Sequence, residues 1–155
     1  MSHVAKIQVV IKDLKALKAA CAQIGLELVE GQKQYAWYGK HVGDYPLPEG
    51  FTAADLGKCD HAIRVIKQPL RPDGTAHYRS AYEVGVVKNK DSEGYTLLWD
   101  FWAGGYGLQE AIGDEAKKLR QAYSAEVAYR AALKQGMRVT KTTNNKGQVI
   151  LTCQA

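Results

Sequence analysis

A chain of 155 residues that is 46% apolar, 24% charged and poor in proline has the length and composition of one folded domain, which excludes a disordered or fibrous protein. No apolar run approaches the roughly 20 residues that cross a bilayer, and the opening residues lack the pattern of a secretory leader, so a soluble cytoplasmic protein is expected, with no membrane partner. Cys21, Cys59 and Cys153 are odd in number and far apart, which argues for free thiols, and a net charge of +5 favours an anionic partner without naming one.

Ala5, Ile7, Val9 and Ile11 alternate with polar neighbours at the two-residue period of a strand with one buried face. Asp13 follows as a helix cap, Leu14, Leu17, Cys21 and Ile24 recur at helical spacing, and Gly25 supplies the left-handed residue that ends the helix. Residues 26–30 and 34–38 read as two short strands joined by a hairpin near Gly31. Glycine, proline and acidic residues over positions 39–60 predict a long surface loop, with Asp55 and Leu56 in a helical turn.

A strand is expected at residues 61–67, then a break at Pro69, Pro72, Asp73 and Gly74, then a strand at 81–88. A polar turn at 89–94 joins it to an aromatic strand at 95–101, the clearest hairpin in the chain. Gly104, Gly105 and Gly107 lead into a helical region on Leu108, Ala111, Ile112, Ala116 and Leu119, with Gly113 as a point of interruption. A further helical segment carries Val127 to Leu133. Residues 138–143 and 148–152 flank the turn Asn144-Asn145-Lys146-Gly147 and form a terminal hairpin. These elements predict one α+β domain over residues 1–155, an antiparallel sheet with helices on one face and a C-terminal hairpin.

Several stretches carry a resemblance: Met1-Ser2-His3, the Asp13-Leu14 helix entry, Tyr35-Ala36-Trp37-Tyr38-Gly39, Pro46-Leu47-Pro48-Glu49-Gly50-Phe51, Gly57-Lys58-Cys59, Tyr82-Glu83-Val84-Gly85-Val86-Val87 and Tyr95-Thr96-Leu97-Leu98-Trp99-Asp100-Phe101. Through them nearly the whole chain resembles the hypothetical chloroplast reading frame thirty-five family, a domain of unknown function. The bacteriophage-borne versions are the more similar ones, since the plastid versions lack much of the central loop. The resemblance implies a bacterial or viral source and an accessory role; it implies no catalytic residue.

Each chemistry competes with a plainer assignment. Cys59 and His61, with His41 and His77, are metal-ligating types, but no paired spacing supports zinc, and a packed thiol beside a surface imidazole is expected. The stretch 100–107 runs from strand to helix like a phosphate loop, yet lacks the lysine and hydroxyl of a P-loop and the spacing of the dinucleotide fingerprint. Ser80, Ser92, His77 and Asp100 are ingredients of nucleophilic catalysis with no signature joining them, and the loop carboxylates Asp55 and Asp60 read as solvated or capping groups. No cofactor and no catalytic residue are therefore expected.

The aromatic surplus is the most distinctive feature. In the aromatic strand at 95–101 Leu97, Trp99 and Phe101 face one way while Leu98, Asp100 and Trp102 face the other, so one set builds core and the other reaches a surface. Trp37, Trp102 and Tyr106 are the candidate anchors for a partner protein. Lys117, Lys118, Arg120, Arg130, Lys134 and Arg138 form a basic C-terminal field, with Glu126 as counterweight, that makes nucleic-acid binding the alternative. The expected function is a binding or accessory protein acting through a protein contact, with an unrecognised enzyme as the third reading.

Overall fold

The computed structural model describes all residues, Met1 to Ala155. Five strands make one antiparallel sheet: β1 (Val4–Ile11), β2 (Leu26–Glu30), β3 (His61–Val65), β4 (Val84–Lys88) and β5 (Tyr95–Asp100), in the order β1-β5-β4-β3-β2. The helices are α1 (Leu14–Gln23), α2 (Leu108–Ile112) and α3 (Lys117–Lys134), and β6 (Arg138–Thr143) pairs with β7 (Val149–Gln154) as a separate hairpin. The architecture is α+β, as the sequence predicts.

Side-chain alternation explains why the sheet needs covering on both faces. Ile7, Leu28, Ile63, Val84, Val86, Leu97 and Trp99 point to the helix side and pack with Leu17 and Cys21 of α1, Leu108 and Ile112 of α2, and Leu119 and Tyr123 of α3. Asp13 caps α1 by accepting the Ala16 N–H at 3.0 Å, and Tyr123 Oη accepts the Lys12 and Asp13 N–H groups, which fixes the start of α1 against α3. The opposite face carries Val4, Ala62 and Leu98, buried under Tyr35, Leu56 and Cys59 of the segment 32–60.

That second cover corrects the expected strand at 34–38. The segment makes only one isolated bridge, Gln34 to Lys58, and β2 pairs with β3 instead of with it. The Tyr35 ring packs against Gly85 of β4, so close that a Cβ there would come 2.3 Å from it. The long segment is thus a lid over the sheet, held by side-chain insertion and not by a ladder.

Two further boundaries move. The strand expected from residue 81 starts at Val84, because Tyr82 and Glu83 donate their N–H groups to Gly105 and Ala36 outside the sheet. Gly113 does interrupt the helical region, at φ 87°, but α3 then runs unbroken from Lys117 through Glu126 to Lys134.

Candidate functional site

The end of β5 organises the site. Asp100 is fully buried, and its carboxylate faces no cation within ion-pair distance. One oxygen accepts the N–H groups of His3 (3.0 Å) and Trp102 (3.1 Å), and the other accepts that of Tyr38 (3.1 Å). A single side chain therefore ties the N-terminus, the lid and the turn after β5 together. Burial, with the Asp100 charge next, pushes the nearby Tyr82 hydroxyl up to about 12.

Beyond Trp102 the backbone turns left-handed for four residues: Ala103 (φ 51°), Gly104 (64°), Gly105 (64°) and Tyr106 (54°). Glycine tolerates this, but alanine and tyrosine each lose about 1–2 kcal/mol there. Neighbouring bonds hold the turn: Gly105 O accepts Tyr82 N–H at 2.9 Å, Gln68 Nε2 donates to Tyr106 O at 2.7 Å, and Tyr78 Oη donates to Tyr106 Oη at 3.1 Å. The Tyr106 ring is clamped edge-on between Tyr78 and Tyr82, each with centroids 5.2 Å away, with the Arg79 guanidinium over its face. The stretch weighed as a phosphate loop is this strained turn, and the helix after it, α2, has only five residues.

A cleft of about 480 Å³ opens beside the turn, lined by Arg71, His77, Tyr78, Trp102, Tyr106 and Glu110 among others. His77 Nε2 lies 3.4 Å from Glu110 Oε1, with the His77 side chain only 8% exposed. The pair is at ion-pair distance but makes no hydrogen bond, and His77 Nε2 and Glu110 Oε2 are each buried without a hydrogen-bond partner. Such atoms cost free energy unless something satisfies them.

Trp102 also borders a second ring cluster. Its indole meets the His3 imidazole edge-on at 5.0 Å, His3 stacks on Tyr45 at 5.1 Å, and Tyr45 meets Phe101 edge-on at 5.1 Å. Tyr78 is 74% exposed, Tyr38 and Tyr45 lie near 38%, and Trp102 is half-buried between the clusters.

Of the three sequence-predicted anchors, Trp102 and Tyr106 come together at this cleft and Trp37 does not. Tyr106 forms the buried floor rather than an outward anchor, while Trp37 is half-buried in the lid, its Nε1 filling the space beside Gly57. Strand alternation does not divide β5 into core and surface, because both faces are covered and Leu97 to Asp100 are all buried. His3, Tyr45, Tyr78 and Glu110 were not singled out as contact residues by the sequence, since they are far apart in the chain and only the fold assembles them.

The predicted basic field is discontinuous. Arg130 is paired with the buried Glu126 at 3.0 Å, Lys118 Nζ donates to Glu110 O, and Arg120 Nε donates to Glu115 O. Between Arg120 and Lys134 the outer face of α3 carries Ser124, Val127, Ala128 and Ala131, all exposed and uncharged. Lys117 and Lys134, at opposite ends of the helix, are about 25 Å apart.

No three histidine, cysteine or acidic side chains are grouped to hold a metal ion. Cys59 Sγ donates to Gln32 O, and His61 Nδ1 accepts the Gly31 N–H. Burial, reinforced by Asp60 and Glu83, pushes the Cys59 thiol up to about 11. Asp55 caps Thr52 and Asp60 accepts the Lys88 N–H, so the two loop carboxylates are structural. A wider hollow of about 510 Å³ beside them sets Lys6, Lys58, Lys88 and Lys90 against Glu49, Asp55, Asp60 and Asp91, a balanced set with no preferred ligand charge.

Comparison with protein-family models, curated proteins and solved structures finds no match. No helix is long and apolar enough to cross a membrane. The class that fold and site define is an α+β domain with an aromatic cleft at one end of its sheet.

Proposed function

We propose that this is a binding or accessory protein that contacts another protein through the aromatic surface around Trp102, in the cytoplasm of its cell, or of the bacterial host if it is phage-encoded, as the family resemblance implies. One observation carries the reading: Trp102 sits half-exposed where two ring clusters meet, above a cleft whose His77 Nε2 and Glu110 Oε2 lack partners. Tryptophan and tyrosine are the residues most often dominant in protein contacts, because a rigid ring offers large area at low entropic cost. The fixed turn means little ordering is needed on binding.

The test is affinity capture from the native host followed by calorimetry on the recovered partner with purified components. Trp102→Ala and Tyr45→Ala are each expected to weaken the contact at least tenfold with unchanged melting temperature. Unaltered affinity in both would refute the proposal.

A second reading has its own observation. An imidazole and a carboxylate 3.4 Å apart in a cleft are a couple able to move a proton, which favours an enzyme. His77→Gln separates the two: an enzyme loses turnover while keeping its ligand, whereas a docking surface changes affinity alone.

A further inference from the structure

From Val127 to the C-terminus the chain contains Arg130, Lys134, Arg138, Lys141 and Lys146 and no aspartate or glutamate. Glu126, just before this stretch, takes two of those cations, Arg130 at 3.0 Å and Lys141 at 3.2 Å. Lys134, Arg138 and Lys146 make no ion pair. All three belong to, or adjoin, the β6–β7 hairpin.

The hairpin is a thin ribbon laid on α3. Its inner face turns the half-buried Val139, Val149 and Leu151 to the helix, and Lys141 reaches down to Glu126 and over the Tyr129 ring. The register places Arg138 opposite Gln154, Thr140 opposite Thr152 and Thr142 opposite Ile150 on the outer face, every one exposed. That face is a row of hydrogen-bonding side chains with one apolar group, flanked by unpaired cations, and nothing in the fold covers it.

We propose that this ribbon binds double-stranded DNA by entering the major groove. A two-stranded ribbon fits the B-form major groove, about 12 Å wide, and threonine and glutamine can bond base edges there. Each strand has six residues, so the ribbon spans about 20 Å, or about six base pairs. Lys134, Arg138 and Lys146 meet the phosphates on either side. This surface is distinct from the Trp102 cleft, and the inference does not depend on the proposed protein contact.

The full-length protein is titrated against a labelled 20-base-pair DNA duplex, with fluorescence anisotropy as readout. Three phosphate contacts give a salt slope near −2.7, so affinity is expected to fall about 40-fold between 50 and 200 mM salt. The K134Q/R138Q/K146Q variant loses that binding, while K117Q/K118Q, on the far end of α3, keeps it with the same melting temperature. Duplex RNA of the same sequence binds at least tenfold more weakly, because its major groove is too narrow for a ribbon. No binding at 50 mM salt, equal binding of duplex RNA, or an equal loss in K117Q/K118Q overturns the proposal.

Discussion

Replacing Asp100 with asparagine isolates what a buried carboxylate without a counter-ion contributes. Asparagine keeps one oxygen, which can still accept the His3 and Trp102 N–H groups, but its amide nitrogen then faces the Tyr38 N–H, donor against donor. The variant loses a charge-assisted bond, about 1.5–3 kcal/mol, and strands a buried N–H, about 1–3 kcal/mol, while easing the desolvation of a full charge. The net expectation is a loss of about 2–4 kcal/mol. With a urea m value of about 2 kcal/mol/M, the unfolding midpoint falls by about 1–2 M. Because Tyr38 and Trp102 both hang on this carboxylate, tryptophan emission should shift red in the folded variant as well. A midpoint within 0.2 M of the parent would refute the assignment of Asp100 as the clamp of the site, since it would mean that an amide satisfies the same three donors.

Gly85→Ala drives a methyl into the Tyr35 ring and is expected to cost about 1–3 kcal/mol, read by thermal unfolding, with Tyr35→Ala rescuing part of the loss. A thiol titration at pH 8 should modify only the exposed Cys153, because burial holds Cys21 at about 12 and Cys59 at about 11, and denaturation should release all three thiols. Burial works to raise the Glu126 carboxyl, yet hydrogen bonds from Gln23, Arg130 and Lys141 outweigh it, so the group sits below its ordinary value. A folded value below the unfolded one near 4.3 contributes stability above that pH and loses it as pH falls through the lower folded value. Glu126→Gln should therefore destabilise the protein by about 1–2 kcal/mol at pH 7, with the gap to the parent closing towards pH 3 in urea unfolding.

The local elements were legible because their signals are local. Asp13, the Leu14–Cys21 spacing and Gly25 define α1 without help from the rest of the chain, and the Asn144–Gly147 turn defines the terminal hairpin. The segment 34–38 misleads because Tyr35, Trp37 and their neighbours have the composition of a strand, while their role is to insert rings into a sheet face that local alternation cannot reveal. Only the fold shows that these residues leave the outer edge of β2 unpaired and lie across the sheet face instead. The site was half legible for the same reason. Trp102 and Tyr106 stand out as aromatics after a strand, whereas His77 and Glu110 become a pair only when the turn at Ala103–Tyr106 folds α2 back beside residues 68–82.

The two proposed surfaces obey different physics. The cleft is rigid: its rings are locked by a turn that holds two non-glycine residues left-handed, and that strain persists only because bonds from Tyr82 and Gln68 over-determine the backbone. Binding there draws on the burial of aromatic rings and should change little with salt. The ribbon is the opposite case, a hairpin of a kind marginal in isolation, fastened by three half-buried aliphatics and the Glu126 contacts and charged on its free side. Whatever binds it should leave steeply as salt rises. Ionic strength alone thus separates the two sites, and a partner captured at high salt that still needs Trp102 cannot be held by the ribbon.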